Sequence, residues 1–467
     1  MAHKSLGKIL SNALSKVKPS PKELEEDRAA AEKLMRLFRK SLPKEIGLEL
    51  VGSVAKGTHL RGDMDLDIFM LFPKTKYSRK DLKTLGLSYA KKAIPKKAKW
   101  QVGYAEHPYL KTRINGYDVE LVPSFKIFSA SELGSAADRS PLHTQYVLKR
   151  MTQKQKDEVR LLKKFLKRLA VYGAEVKVEG FSGYLCELLV LRYGSFTKLL
   201  ETASEWVDPV VDLESEYANP SKARERFGFP PIVVVDPVDK NRNVAAAVSQ
   251  TSLSKFIIAA RSFLRNPSKE FFFETPPKIT SKHLREMKHM LLDRDTPHVF
   301  VMRFPAPEVV PDILWPQLRR TARIIFERLE KNGFEVFDYT YWTDEQKYCV
   351  MVFELVIISL PRIEKVAGPE VQYIGGVADF IKKHRNPLAG PWIGGNRVYS
   401  AKKRRFTQAI DVVDHIVSNP TEYAIPKKIA PVIKKYKRMR TPSLLGPKYQ
   451  RFMFDYLYKK HYYIESY

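Results

Sequence analysis

The sequence predicts a multidomain α+β protein, and three observations carry that prediction. An apolar strand-like run ends in Gly52-Ser53 and is followed, after eleven intervening residues, by the alternating segment Asp65-Leu66-Asp67-Ile68. Apolar residues at helical spacing then dominate from Thr152 to Tyr193. Between Val299 and Ile358 the order strand, helix, strand, strand is that of a ferredoxin or RNA-recognition-motif sandwich. A chain of 467 residues has length for about three domains. The division read from composition is a domain at 1–145, a helical one at 146–268, an α+β one at 269–380 and a basic aromatic tail at 381–467.

Met1 to Lys18 is a basic, weakly amphipathic segment without the apolar core of a signal peptide. Ser20-Pro21 opens a helix, and Leu24, Ala30, Leu34, Leu37 and Phe38 carry the helical period to about Leu42. Ile46 to Val51 is the strand entering Gly52-Ser53. Side chains two apart on a strand share a face, so Asp63, Asp65 and Asp67 lie together while Leu66 and Ile68 enter the core. Ser78 to Ala93 reads as helix, and Trp100–Ala105, Tyr109–Ile114 and Tyr117–Val122 as strands, the last two joined by an Asn115-Gly116 turn. On the last of these, Asp118 and Glu120 share a face.

A basic amphipathic helix runs from Thr152 to Tyr172, with Leu161, Leu162, Phe165, Leu166 and Leu169 as its buried stripe. Gly180 to Tyr184 ends a loop and opens a second helix through Cys186, Leu188, Leu189, Leu191 and Tyr193. Ile232 to Val235 is a buried strand ahead of Asp236-Pro237-Val238-Asp239, and a helix follows from about Val244, or from Ser252. Val299–Arg303, Phe334–Tyr341 and Tyr348–Ile358 read as strands, with a long helix over Ile313–Lys331 and a shorter one near Phe406–Val417. No internal repeat occurs.

The acidic strand carries the chemistry. Neighbouring carboxylates repel, so such a pair needs a cation to hold it together. Two oxygen donors on one strand edge suit Mg²⁺, which brings phosphates with it. The Gly52-Ser53 turn offers close backbone approach, N–H donors and a hydroxyl. An isolated Asp-x-Asp is more often a solvated hairpin; the turn placed ahead of it, and a further acidic strand downstream, argue for a nucleotide and metal site. Asp63 with Asp65, or Asp65 with Asp67, could form the pair, and either Asp118 or Glu120 the third carboxylate.

With 81 Lys and Arg against 52 Asp and Glu, the net charge of +29 calls for a polyanionic partner. Nucleic acid fits better than membrane, because no run of 18 apolar residues and no strongly amphipathic basic helix at either terminus occurs. Residues 371–467 hold 19 basic against 6 acidic residues, interleaved with Tyr399, Phe406, Tyr423, Tyr436, Tyr449, Tyr462 and Tyr463. Packing is the commoner fate of such rings, stacking on bases the rarer one. Cys186 and Cys349 lie in apolar runs without metal-site spacing, which points to core residues in a reducing, cytoplasmic compartment.

The turn and the two carboxylates resemble the signature of the DNA polymerase β-like nucleotidyltransferases. A closer likeness covers most of the chain to about residue 265. Its blocks are Asp65-Leu66-Asp67, Glu120-Leu121-Val122-Pro123, Asp138 to His143, Glu158 to Lys163, Tyr172 to Glu175, Gly180 to Leu188, Val235 to Asp239 and Arg242 to Ala246. These are similar to the archaeal, class I CCA-adding enzymes, which add C, C and A to tRNA 3′ ends from CTP and ATP. The resemblance implies a polymerase β-like palm and two Mg²⁺ ions held by Asp65, Asp67 and Glu120, leaving Asp63 at the rim. It implies that Gly52, Ser53, Lys56, His143, Lys163 and Tyr172 contact the triphosphate, that Ser140 lies near the ribose and that Arg242 meets the base edge. It further implies binding of the tRNA acceptor stem and TΨC arm by a homodimer. Lys56 stands where relatives tend to have Arg, and Glu120 where they usually have Asp. A poly(A)-type 3′-terminal polymerase and a non-catalytic RNA-binding protein are the alternatives.

Overall fold

Five strands build the sheet that carries the acidic residues: β1 (Gly47–Val51), β2 (Asp65–Pro73), β3 (Trp100–Tyr104), β4 (Pro108–Ile114) and β5 (Tyr117–Lys126). Their order is β1-β2-β5-β4-β3, with β2 and β5 parallel and the other pairs antiparallel. The computed structural model describes residues 2–63, 65–104, 108–273, 278–293 and 298–465; Met1 and Ala105, named above, lie outside them. The chain divides into two compact units, Met1–Thr275 with His461–Tyr467, and Pro276–Lys460.

In the first unit α1 (Ala2–Val17) is more amphipathic than expected. Ala13 is buried, and Leu6, Ile9, Leu10 and Leu14 pack against the helical core, three and four residues apart on one face. Ser20 caps α2 (Pro21–Arg39) in a reciprocal capping box with Glu23. The Gly52-Ser53 turn is the opening of a short helix, α3 (Gly52–Lys56). The helix expected over Ser78–Ala93 is α4 (Arg79–Asp81), a π-turn over Leu82–Gly86 and α5 (Leu87–Ala93). Asn115 and Gly116 both have positive φ, 53° and 87°, as a type I′ hairpin turn demands. Leu66, Ile68, Met70 and Phe72 of β2 are fully buried beneath α2 and α5, which pins the register of the carboxylates on the alternate positions.

α6 (Arg139–Arg150) leads to α7 (Gln153–Arg168), capped by Thr152. α7 ends four residues before Tyr172, because Ala170 turns to φ 56°. α8 (Gly183–Tyr193), α9 (Phe196–Ala203) and α10 (Pro220–Arg226) follow. β7 (Val233–Asp236) pairs on one side with β6 (Val210–Val211), in parallel, and on the other, antiparallel, with a strand the sequence reading missed, β8 (Asp239–Asn243). Its polar sequence hides it: Asp-Lys-Asn-Arg-Asn has no apolar alternation, and its edge position needs none. The next helix, α11 (Gln250–Arg265), starts at the Ser249 cap, nearer the later of the two expected starts.

The second unit opens with α12 (Ser281–Asp293). Then come β9 (Val299–Pro305), α13 (Pro311–Lys331), β10 (Val336–Thr343) and β11 (Tyr348–Leu355). β12 (Ile363–Glu370), α14 (Ile374–Lys383), β13 (Ala389–Gly394), β14 (Arg397–Lys403), α15 (Ala409–Ser418) and β15 (Lys437–Arg438) complete it. The sheet order β10-β11-β9-β15 is antiparallel throughout, with α13 and α15 on one face: the ferredoxin-like arrangement the strand order predicted. β12, β14 and β13 form a separate three-stranded sheet inserted before α15. The stretch expected as a tail from 381 therefore supplies two strands of the insert, the second sandwich helix and the fourth sandwich strand, and residue 380 lies inside α14. Its rings mostly pack: Tyr449 and Tyr463 are buried, and Phe406 and Tyr423 sit edge-on to His415. Cys186 and Cys349 are free and buried. Among the described residues no helix is long and apolar enough to cross a membrane.

Candidate active site

Gly52 stands at the junction of β1 and α3 with φ +77°, and a Cβ placed on it would lie 2.0 Å from Oδ2 of Asp67. The turn thus brings backbone against carboxylate in a way only glycine permits. A cleft of about 1110 Å³ opens there. Of the eleven residues expected at the site it is lined by Gly52, Ser53, Lys56, Asp65, Asp67, Glu120, Lys163 and Tyr172, and also by Lys111, Asp118, Tyr184 and Glu187. Ser140, His143 and Arg242 are not among its lining.

The parallel pairing of β2 with β5 sets Asp65 opposite Asp118 and Asp67 opposite Glu120. Burial, then Glu120 and Asp65, push the Asp67 carboxyl up to about 7. Burial, then Asp63, Asp118 and Glu120, raise that of Asp65. Three neighbours are held by cations: Glu120 by Lys111 at 2.8 Å, Asp63 by Lys167 at 2.9 Å and Asp118 by Arg113 at 3.7 Å. Glu120 is the more enclosed candidate for the third carboxylate, its side chain 32% exposed against 59% for Asp118. Among the described residues no three acidic, His or Cys groups are gathered closely enough to hold a metal ion as they stand. The donor chemistry fits a hard divalent cation nonetheless: only oxygen ligands are offered, and their mutual repulsion is what such a charge relieves.

Lys56 and Lys163 form a second wall, with His143 and Arg242 outside the lining, and each of these four is met by a buried acid that the sequence reading did not single out. Lys56 pairs with Oε2 of Glu187, whose Oε1 accepts from the Thr58 hydroxyl. Lys163, fully buried, donates to the Thr58 carbonyl at 3.1 Å and lies 3.9 Å from Glu187; burial lowers its pKa. His143 lies 2.8 Å from Asp236 and stacks on Tyr184 at 3.9 Å between ring centres; burial lowers its pKa too. Arg242, on β8 rather than in a loop, donates to the same Asp236 at 2.7 Å. Ser140 sits on the first turn of α6, its carbonyl accepting from Thr144. A signal for the two acids was present. Glu187 is the one charge in the otherwise apolar run Leu185 to Val190, and Asp236 continues the run Ile232 to Val235. A charge inside a buried element must be paired.

A mixed sheet that sets an acidic strand against a Gly-Ser helix opening defines a nucleotidyltransferase, and residues 32–143 match the nucleotidyltransferase domain model. Residues 157–273 match the second domain of tRNA nucleotidyltransferase, and 295–440 the C-terminal domain of CCA-adding enzymes. The chain is 38% identical over 411 residues to a CCA-adding enzyme of Pyrobaculum islandicum, covering 87% of this chain and 92% of that one. It is 34% identical over 437 residues to one of Methanocaldococcus jannaschii, covering 91% and 94%. A solved structure of the Cid1 poly(U) polymerase aligns with 58% of this chain and 100% of its own at 17% identity, with a TM-score of 0.47. The chain belongs to the CCA-adding enzymes, the archaeal tRNA nucleotidyltransferases.

Proposed function

We propose that this protein adds C, C and A to the 3′ end of tRNA from CTP and ATP, releasing pyrophosphate. The observation that carries the site is the Asp65 and Asp67 pair, with Glu120 beside it, facing the Gly52-Ser53 turn. Two Mg²⁺ ions held by Asp65, Asp67 and Glu120 would neutralise the triphosphate and lower the pKa of the tRNA 3′-hydroxyl. Gly52 lets the phosphates approach the backbone, and Ser53 supplies a hydroxyl. Lys56, Lys163 and Tyr172 meet the phosphates on the facing wall, with His143 behind Tyr184 completing that wall. The 3′-hydroxyl oxygen attacks the α-phosphorus in line, the bond to pyrophosphate breaks, and the hydroxyl proton passes to solvent. Ser140 is assigned to the ribose and Arg242 to the base edge.

The basic second unit and its insert are assigned to the acceptor stem and TΨC arm, and the active form to a cytoplasmic homodimer. A tRNA lacking its CCA end, incubated first with CTP and then with CTP and ATP, tests the activity. Two additions and then a third, with no further growth, are expected. A long homopolymer would assign a poly(A)-type polymerase, and no Mg²⁺-dependent incorporation a non-catalytic RNA-binding protein.

A further inference from the structure

Asp236 is fully buried at the end of β7, and none of the roles above uses it. Its carboxylate is a junction. Oδ2 accepts from Nη1 of Arg242 at 2.7 Å and lies 2.8 Å from Nε2 of His143. Oδ1 accepts from the Tyr184 hydroxyl at 3.3 Å and from the backbone N–H of Val238 at 3.1 Å. The three side chains arrive from β8, α6 and α8. Burial alone would raise this carboxyl, but His143 and Arg242 hold it below the usual carboxylate range, so the junction is charged. Tyr184 lines the cleft and stacks on His143 with an interplanar angle of 20°, which links the junction to the cleft wall.

The β7–β8 hairpin is tied to α6 a second time, by Arg139 to Asp239 at 2.8 Å. Both ties dock the hairpin, but only the one at Asp236 runs through Arg242. An arginine side chain that is 35% exposed loses its aim without an anchor, because its long stem has many rotamers. One donor spent on Asp236 fixes the plane of the guanidinium and leaves the remaining donors directed.

We propose that Asp236 is a specificity-determining positioning residue, which holds the Arg242 guanidinium against the Tyr184 wall so that base edges are read from a fixed point. The proposal rests on the assignment of Arg242 to the base edge. The experiment uses the full chain with tRNA ending in C-C, offered CTP and ATP together, and reads the ratio of A to C incorporated in single turnover beside kcat and KM.

Arg242→Ala and Asp236→Asn are each expected to reduce that ratio by roughly ten- to a hundredfold, the range of one charge-assisted hydrogen bond. The double variant is expected to lose no more than either alone, because the two residues act as one. Asp239→Asn, which breaks only the other tie, is expected to leave the ratio unchanged. Should Asp236→Asn melt below the assay temperature, Asp236→Glu, which keeps the buried charge and shifts it by one methylene, is read the same way. Discrimination kept by the Asp236 variant but lost in Arg242→Ala overturns the positioning role alone. Equal blurring by Asp239→Asn reduces Asp236 to a dock for the hairpin. Discrimination kept in Arg242→Ala overturns the base-edge assignment, and the proposal with it.

Discussion

Gly52→Ala removes no functional group, and the structure gives the size of what it adds. The backbone at φ +77° disfavours an L residue by about 1–2 kcal/mol. The new Cβ would also lie 2.0 Å from Oδ2 and 3.0 Å from Cγ of Asp67. β1 cannot retreat freely, because Val51 is paired with Asp67 in the ladder, so the carboxylate must rotate out of its place. Gly62→Ala is the control: φ is +82° there, yet nothing lies within 4 Å of the added Cβ. Urea denaturation should therefore show a loss of about 1–2 kcal/mol for Gly62→Ala and about 2–4 for Gly52→Ala, the excess being the collision. Single-turnover addition should be near normal in the control and roughly a hundredfold slower in Gly52→Ala, the scale of a 1 Å misplacement at a reacting centre. Binding of tRNA should survive in both. A Gly52→Ala protein within about threefold of the parent rate would refute the claim that this contact aims Asp67.

Two further outcomes follow from the carboxylates. Because the Asp67 carboxyl titrates at about 7 in the fold, the native state favours its protonated form. Its stabilising contribution is full below the unfolded value near 4 and is lost as pH rises through about 7. Melting in EDTA should therefore show a decline over that window, of up to about 4 kcal/mol, that Asp67→Asn removes while abolishing nucleotide addition; equal pH slopes in both proteins would contradict it. Glu120→Gln should slow addition at least about a hundredfold, and Asp118→Asn by less than about threefold, measured at saturating Mg²⁺. The reverse ranking would move the third carboxylate to Asp118.

The palm was legible because its signals are local. β2 alternates, Asn115-Gly116 is a hairpin turn by residue type, and Ser20 caps the helix it precedes, as Thr152 and Ser182 do in the helical domain that follows. The β2–β5 register was not, since whether Asp67 faces Asp118 or Glu120 depends on strands about fifty residues apart. The partners of the basic wall were hidden for the same reason. Lys56 and Glu187 are separated by 131 positions and His143 and Asp236 by 93, and no periodicity links them. The ferredoxin-like sandwich was visible only as far as β11, because the three-stranded insert of 363–403 separates its first three strands from α15 and β15.

Global charge and local charge do different work in this chain. The net +29 is a surface property, and it supplies salt-dependent affinity for the tRNA backbone. Inside the cleft the balance is close: Asp65, Asp67, Asp118, Glu120 and Glu187 face Lys56, Lys99, Lys111, Arg113 and Lys163. On the proposed assignments a triphosphate must draw Lys56 away from Glu187, and a cation must draw Glu120 away from Lys111. Triphosphate entering alone would stand against Asp65 and Asp67; a cation entering alone would leave Lys111 unpaired in a partly buried wall. Each arrival relieves the charge exposed by the other. The arrangement therefore favours uptake of nucleotide and metal together, and the acids that pin the lysines leave the cleft's own side chains balanced rather than in standing excess of either charge.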